Sequence, residues 1–205
     1  MKKLLPLLTC LSIAACGSDS ADSPTPPTPP VEAPELKADI CYLMATTKGD
    51  MTLAIDLTNV PVTGQNFKTY ADSGFYQETL FHRTISNFMV QGGGLTTGLV
   101  SKPGNDPIIN EASVGISNSR GTIAMARTND PNSATSQFFI NVLDNPQLDA
   151  SASNDGYAVF GQVVAGMDIA DQISIVATHT TGGRSDVPVD EIVINSLTET
   201  NCPAN

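Results

Sequence analysis

Hydrophobic and polar residues alternate most clearly at Met51, Leu53, Ile55 and Leu57, which interleave with Thr52, Ala54 and Asp56. A period of two marks a half-buried strand. The run Asp39–Thr46 reaches it across the turn residues Lys48–Gly49–Asp50, so the two segments are predicted to pair as a hairpin. The period then changes. Pro61 and Thr63 open a helix that Gly74 closes, with Phe67, Tyr70 and Ala71 on one face. Short strand-like runs follow at Thr79–His82, Phe88–Gln91, Thr122–Arg127, Gln137–Val142 and Ala158–Val164. The Gly92–Gly94 run reads as a tight turn ending the second of these, and Asn154–Asp155–Gly156 as a turn before Tyr157. Gly166 leads into a second helix, Met167–Ser174, with Met167, Ala170 and Ile173 on one face. Asp190–Leu197 is a last strand. About eight short strands, two helices and no internal repeat point to a mainly β barrel or sandwich.

Composition narrows the class. A chain of 205 residues with 40% hydrophobic residues can bury one core, and fits one domain with appendages better than two domains. Only 15% of residues are charged and the net charge is −11. That acidity argues against nucleic-acid binding, which needs a basic footprint, and against docking on anionic lipid by charge.

The first 36 residues look different from the rest. Lys2 and Lys3 precede Leu4–Ala15, an apolar run of 12 residues containing Pro6. A membrane span needs about 20 apolar residues. The run therefore reads as the hydrophobic core of a signal peptide (residues 1–15), not as a span or a first helix of the domain. Its end, Ile13–Ala14–Ala15–Cys16, resembles a bacterial lipobox. The resemblance implies that Cys16 is lipidated and anchors the chain to the membrane, where several acyl chains hold firmly. Gly17, in place of Asp, implies by the same likeness the periplasmic face of the outer membrane. Residues 16–36 form a Pro/Ser-rich tether, with six prolines between Ser18 and Pro34. It reads as a spacer; a ligand for a proline-binding groove is the sharper alternative. Cleavage removes Lys2 and Lys3 and moves the charge from −11 to −13. Cys41 and Cys202 then stand at the two ends of the domain, residues 37–205. In an oxidising compartment they would form either a disulfide or two free thiols.

Much chemistry is excluded. His82 and His179 are the only histidines, so no ordinary zinc site can be assembled. There is no GxGxxG, Walker or GxSxG pattern. His82 alone reads as a structural residue, facing away from Arg83 by strand alternation.

Two segments carry the positive signal. They are Phe81-His-Arg-Thr-Ile-Ser-Asn-Phe-Met-Val-Gln-Gly-Gly-Gly94 and Gly121-Thr-Ile-Ala-Met-Ala-Arg-Thr-Asn-Asp-Pro-Asn-Ser-Ala-Thr-Ser-Gln-Phe-Phe-Ile-Asn141. With Leu148–Asp149 and Tyr157–Gly161 after them, they resemble the signature blocks of the cyclophilin-type peptidyl-prolyl cis-trans isomerases, above all the bacterial periplasmic ones. The likeness runs from about Asp39 to Leu197. It implies a closed eight-stranded antiparallel β-barrel capped by two α-helices, with the groove outside the barrel. It places the catalytic arginine at Arg83 and its bracing glutamine at Gln91. Phe88, Met89, Phe139, Leu148 and Tyr157 would wall the proline pocket, while Ala126, Arg127, Thr128 and Gln137 would line the neighbouring peptide strip. The implied partners are proline-containing polypeptides, with neither cofactor nor metal.

The residue types make physical sense. Rotation about Xaa-Pro is slow because amide resonance imposes a barrier of about 18–20 kcal/mol. No covalent bond breaks, so neither nucleophile nor metal is required. A permanently charged guanidinium can donate to the prolyl nitrogen as its lone pair leaves resonance. One position departs from the family: Gln147 stands where relatives carry Trp or Phe. It is expected to weaken cyclosporin binding and leave isomerisation intact. The competing reading is a tethered proline-binding holdase or scaffold with little turnover, which would tolerate loss of Arg83 and Gln91.

Overall fold

The computed structural model describes residues 33–203. The signal segment, Cys16 and most of the tether lie outside the described residues. Eleven strands and two α-helices follow in chain order: β1 (Ile40–Thr46), β2 (Gly49–Ile55), α1 (Pro61–Asp72), β3 (Thr79–Ile85), β4 (Met89–Thr96), β5 (Val100–Ser101), β6 (Thr122–Met125), β7 (Phe138–Asn141), β8 (Val159–Ala165), α2 (Met167–Ser174), β9 (Thr178–Thr181), β10 (Arg184–Pro188) and β11 (Ile192–Thr200).

Eight strands close on themselves in the order β3-β11-β1-β2-β8-β6-β7-β4, with β3 pairing back to β4. Every pairing is antiparallel. β5 is a short extension of β4, and β9 with β10 forms a separate hairpin. This is the closed eight-stranded barrel with two helices that the sequence led us to expect. The three extra strands escape the alternation rule for a physical reason. β5 is exposed at both residues, and β9 has no buried residue, so neither carries an apolar face to betray it.

Strand alternation splits the hydrophobic residues into two groups. Val90, Ile123, Met125, Phe138, Ile140 and Phe160 point inward and pack with Phe67 of α1. Their neighbours Met89, Ala124, Phe139 and Val159 form a second cluster on the outer face. Phe67 meets Tyr42, Tyr76, Phe138 and Phe160 with ring centroids 5.1–6.2 Å apart, so one helix residue anchors the barrel interior.

Both helices start without a side-chain cap of their own. At α1, Pro61 occupies the first turn, where its missing N–H costs nothing. The carboxylate of the distant Glu111 accepts from the Thr63 backbone N–H and hydroxyl, each at 2.7 Å. Gly74, at φ +69, ends the helix in the left-handed region that glycine tolerates best.

Gly92–Gly94 is not a turn: β4 runs through it to Thr96. The glycines serve close packing. A Cβ at Gly93 would stand 2.8 Å from both Phe138 and Tyr76, and one at Gly94 would strike Gln137. Near the chain ends, a disulfide joins Cys41 of β1 to Cys202, with Cα atoms 5.1 Å apart. Upstream of residue 37 the chain already touches the barrel: Leu36 packs on the outer cluster, and the Glu35 carbonyl accepts from Asn59 at 3.0 Å.

Candidate active site

The outer faces of β4, β6, β7 and β8 meet two loops to form a groove. One cavity of about 140 Å³ is lined by Arg83, Phe88, Met89, Gln91, Ala126, Arg127, Phe139, Leu148 and Tyr157. Nine of the residues picked from the sequence are thus brought together. Thr128 and Gln137 lie one step along, in a second cavity that shares Gln91, Ala126 and Arg127. Gln147 lines neither; it is exposed, with its amide donating to Asn145 at 3.1 Å.

The walls come from strand register. Met89 pairs with Asn141 and Gln91 with Phe139 across β4 and β7, which sets an apolar and a polar residue side by side on the outer face. Phe139 meets Tyr157 edge to face at 5.6 Å. Arg127 then stacks over Tyr157 at 4.6 Å while its Nε donates to the Gly156 carbonyl at 3.0 Å. A second donation, to the Thr128 carbonyl at 2.9 Å, completes its restraint. Arg127 is therefore fixed in place as part of the wall.

The loops are held by a polar network that the sequence patterns missed. Asp149 accepts from the Ser117 hydroxyl at 2.6 Å and the Asn118 backbone at 2.7 Å. The Asn118 amide reaches the carbonyls of Leu148 and Tyr157, both at 3.3 Å. Asn141 donates to Asn118 and Thr122, and Asn145 donates to Asn141 and the Phe88 carbonyl. Three groove walls, Phe88, Leu148 and Tyr157, are thus tied to one buried lattice. Its members sit at irregular spacing in loops and strand ends, where no periodicity marks them.

Arg83 is different. Its side chain makes no hydrogen bond among the described residues, and it is 40% exposed. Gln91 pairs with it in register, yet the Gln91 amide donates to Gln137 at 3.0 Å, not to the guanidinium. The nearest carboxylate is Asp186, whose Oδ2 lies 3.7 Å from Arg83 Nε.

His82 does not face away from Arg83. The β3–β4 register shifts between Phe81 and Arg83, and this bulge breaks the alternation. Both side chains line a cavity under the β9–β10 hairpin, with Gln91, Gln137 and Arg184. His82 is nonetheless buried, and its Nδ1 has no hydrogen-bond partner. Burial lowers its pKa to about 4, with the Arg184 and Arg83 charges adding to the effect and the Leu80 carbonyl offsetting part of it. The ring is therefore neutral at pH 7.

The site thus sets an apolar pocket beside a guanidinium, and comparison with known proteins shows the family of the chain. Residues 41–199 match the family described as cyclophilin type peptidyl-prolyl cis-trans isomerase/CLD. Peptidyl-prolyl cis-trans isomerase A of Dickeya dadantii is 52% identical over 154 residues, covering 75% of this chain and 81% of that protein. Peptidyl-prolyl cis-trans isomerase B of Escherichia coli is 47% identical over 156 residues, covering 75% and 95%. A cyclophilin type peptidyl-prolyl cis-trans isomerase of Cryptosporidium parvum superposes with a TM-score of 0.62 at 27% identity, covering 80% of this chain and 99% of that one. A second structure of that protein was solved in the presence of the dipeptide Ala-Pro. The chain belongs to the cyclophilins. It is a peptidyl-prolyl cis-trans isomerase.

Proposed function

We propose that Arg83 is the catalytic donor and that the enzyme serves the folding of proteins in the bacterial cell envelope. The observation that carries the first part is the shared cavity: the Arg83 guanidinium, with no hydrogen bond among the described residues, opens onto the same pocket as Phe88, Met89, Phe139, Leu148 and Tyr157. The proline ring of a polypeptide fills the apolar end. Thr128, Gln137 and the second cavity take the chain beside it. The Ala-Pro dipeptide used with the Cryptosporidium relative supports this choice of ligand.

Chemistry then follows from resonance. In the planar amide the prolyl nitrogen is a poor acceptor, because its lone pair is delocalised. At the twisted geometry the lone pair localises, and a charged donor binds it more strongly than it binds the ground state. Uncatalysed isomerisation takes about 10–100 s. A turnover of order 10² s⁻¹ needs roughly 5 kcal/mol. A single aimed donor contributes about 3–4 kcal/mol, and the groove supplies the remainder by holding the twisted form.

The envelope setting is supported by residues 1–36. A short apolar leader, a lipobox-like Ile13–Cys16 and a proline-rich spacer together fit export, lipidation at Cys16 and tethering to the periplasmic face of the outer membrane. The disulfide between Cys41 and Cys202 suits an oxidising compartment.

One experiment tests the donor. The cis-to-trans rate of a short Xaa-Pro peptide is measured with the full chain and with Arg83→Ala. A loss of about 10²–10³ in kcat/KM is expected, the usual effect of removing one aimed donor. A folded wild-type chain that binds the peptide without accelerating it would turn the reading to a tethered holdase. For the anchor, Cys16→Ser is expected to move the protein from the membrane to the soluble fraction; continued membrane association would overturn it.

A further inference from the structure

Among the described residues, the charged partner of Arg83 comes from outside the barrel. Asp186 belongs to β10, in the hairpin that is not part of the closed sheet. Its Oδ2 approaches Arg83 at Nε, the inner nitrogen of the guanidinium. Among the described residues, both terminal nitrogens are left without a hydrogen bond.

Several features show that this carboxylate is held in place. Asp186 has φ +59, the left-handed region that residues bearing a Cβ avoid. The hairpin register shifts between Arg184 and Val187, so Ser185 and Asp186 stand out of the regular pairing. The next residues, Val187 and Pro188, are buried and pin the strand. The Ser185 hydroxyl donates to Asp186 Oδ2 at 3.3 Å. On the opposite side, β3 carries its own register shift between Phe81 and Arg83. Two local irregularities, one in each element, thus bring a single ion pair together. Bulges of this kind re-aim side chains beside active sites, and a left-handed aspartate persists where its surroundings impose it.

We propose that Asp186 is the positioning residue of Arg83, taking the bracing role that sequence likeness would assign to Gln91. The proposal rests on the reading of Arg83 as donor. A half-exposed arginine samples many rotamers, and only some aim a terminal nitrogen at the prolyl nitrogen. A carboxylate at Nε limits that wandering and consumes neither terminal nitrogen. None of the apolar walls of the proline pocket belongs to the hairpin, so the effect falls on kcat and not on KM. The pair is partly exposed, so the effect is moderate.

The test uses the full chain and a short Ala-Pro peptide, with kcat and KM measured separately. Asp186→Asn keeps the size and the tolerance for this backbone conformation but removes the charge. It is expected to lower kcat about two- to fivefold, with KM unchanged. Asp186→Glu is expected to recover part of the loss. In an Arg83→Ala background, Asp186→Asn is expected to change nothing further. High salt should pull the wild-type kcat towards that of Asp186→Asn and leave the variant unmoved. Should Asp186→Asn fail to fold, Asp186→Gly, relaxed at this φ, carries the same measurements. An Arg83→Ala enzyme that keeps the wild-type kcat sinks the donor reading and this inference together. An inactive Arg83→Ala enzyme beside an unaffected Asp186→Asn sinks this inference alone. A rise in KM, or an equal loss in the Arg83→Ala background, would also overturn it, because either marks a purely structural role.

Discussion

The two flanks of the groove are built in opposite ways. On the flank of Leu148 and Tyr157, the amides of Asn118, Asn141 and Asn145 and the Asp149 carboxylate all have partners, and even Arg127 is bonded twice and stacked on a ring. On the flank of β3, among the described residues, Arg83 has no hydrogen bond, and His82 Nδ1 and Thr84 Oγ1 are buried without one. Buried polar groups are bonded almost everywhere in folded proteins, so the exceptions carry information. The satisfied flank holds a shape. On the other flank only Arg83, half exposed, presents unused donors to the groove; His82 Nδ1 and Thr84 Oγ1 are sealed inside. Two arginines in one cavity make the contrast concrete: Arg127 is bonded into the wall, and Arg83 makes no hydrogen bond among the described residues.

Substitutions can break this comparison, beginning with Arg83→Ala, whose expected loss of activity is the largest. His82 comes next. Its folded pKa of about 4 lies below the ordinary value of 6.5, so the unfolded chain takes up the proton first. Its contribution to stability is therefore complete above about pH 6.5, falls as the pH drops towards 4, and is constant below that. The loss amounts to roughly 3 kcal/mol. Urea midpoints at pH 7 and pH 4.5 should fall further for the wild type than for His82→Gln; equal falls would remove His82 from the account. Between pH 6 and 8, kcat should be flat, because a guanidinium keeps its charge throughout. A steep one-proton profile of the chemical step would count against Arg83.

Asn118→Ala sharpens the other side. It strips donors from Asp149, Leu148 and Tyr157 at once. A cost of about 2 kcal/mol is expected, seen as a fall of about 4–8 °C in melting temperature. KM should rise while kcat stays close to wild type, since the wall loosens and the donor does not. A fall in kcat at constant KM would erase the distinction between the flanks. The smallest effect is expected at Gln147. Cyclosporin should inhibit weakly, and Gln147→Phe should tighten it about tenfold by adding an apolar edge, worth about 1.4 kcal/mol. Nanomolar inhibition of the wild type would contradict this.

How much of this was legible in the sequence differs by element. Met89 and Phe139 could be placed in the groove only through the family resemblance, since each alone reads as a core residue; the structure sets both in the outer cluster. The helices were marked by Pro61, Gly74 and Gly166. Alternation failed at His82 because a bulge adds a residue and resets the faces. Glycine chemistry misled at Gly92–Gly94, where the absent side chains admit Phe138, Tyr76 and Gln137 to a continuous strand. Glu111 at the head of α1, and Asp186 beside Arg83, act across long stretches of chain that no local pattern spans.

Closure of the sheet has a further consequence. A peptidyl-prolyl isomerase meets extended peptide segments, each with a backbone able to pair with an open strand edge. A sheet with open borders would offer them one and become a seed for aggregation. Here β3 returns to β4, so each of the eight barrel strands already has a neighbour on both sides. Proline-containing segments are left with the groove. Closure thus steers a substrate away from pairing with a barrel strand.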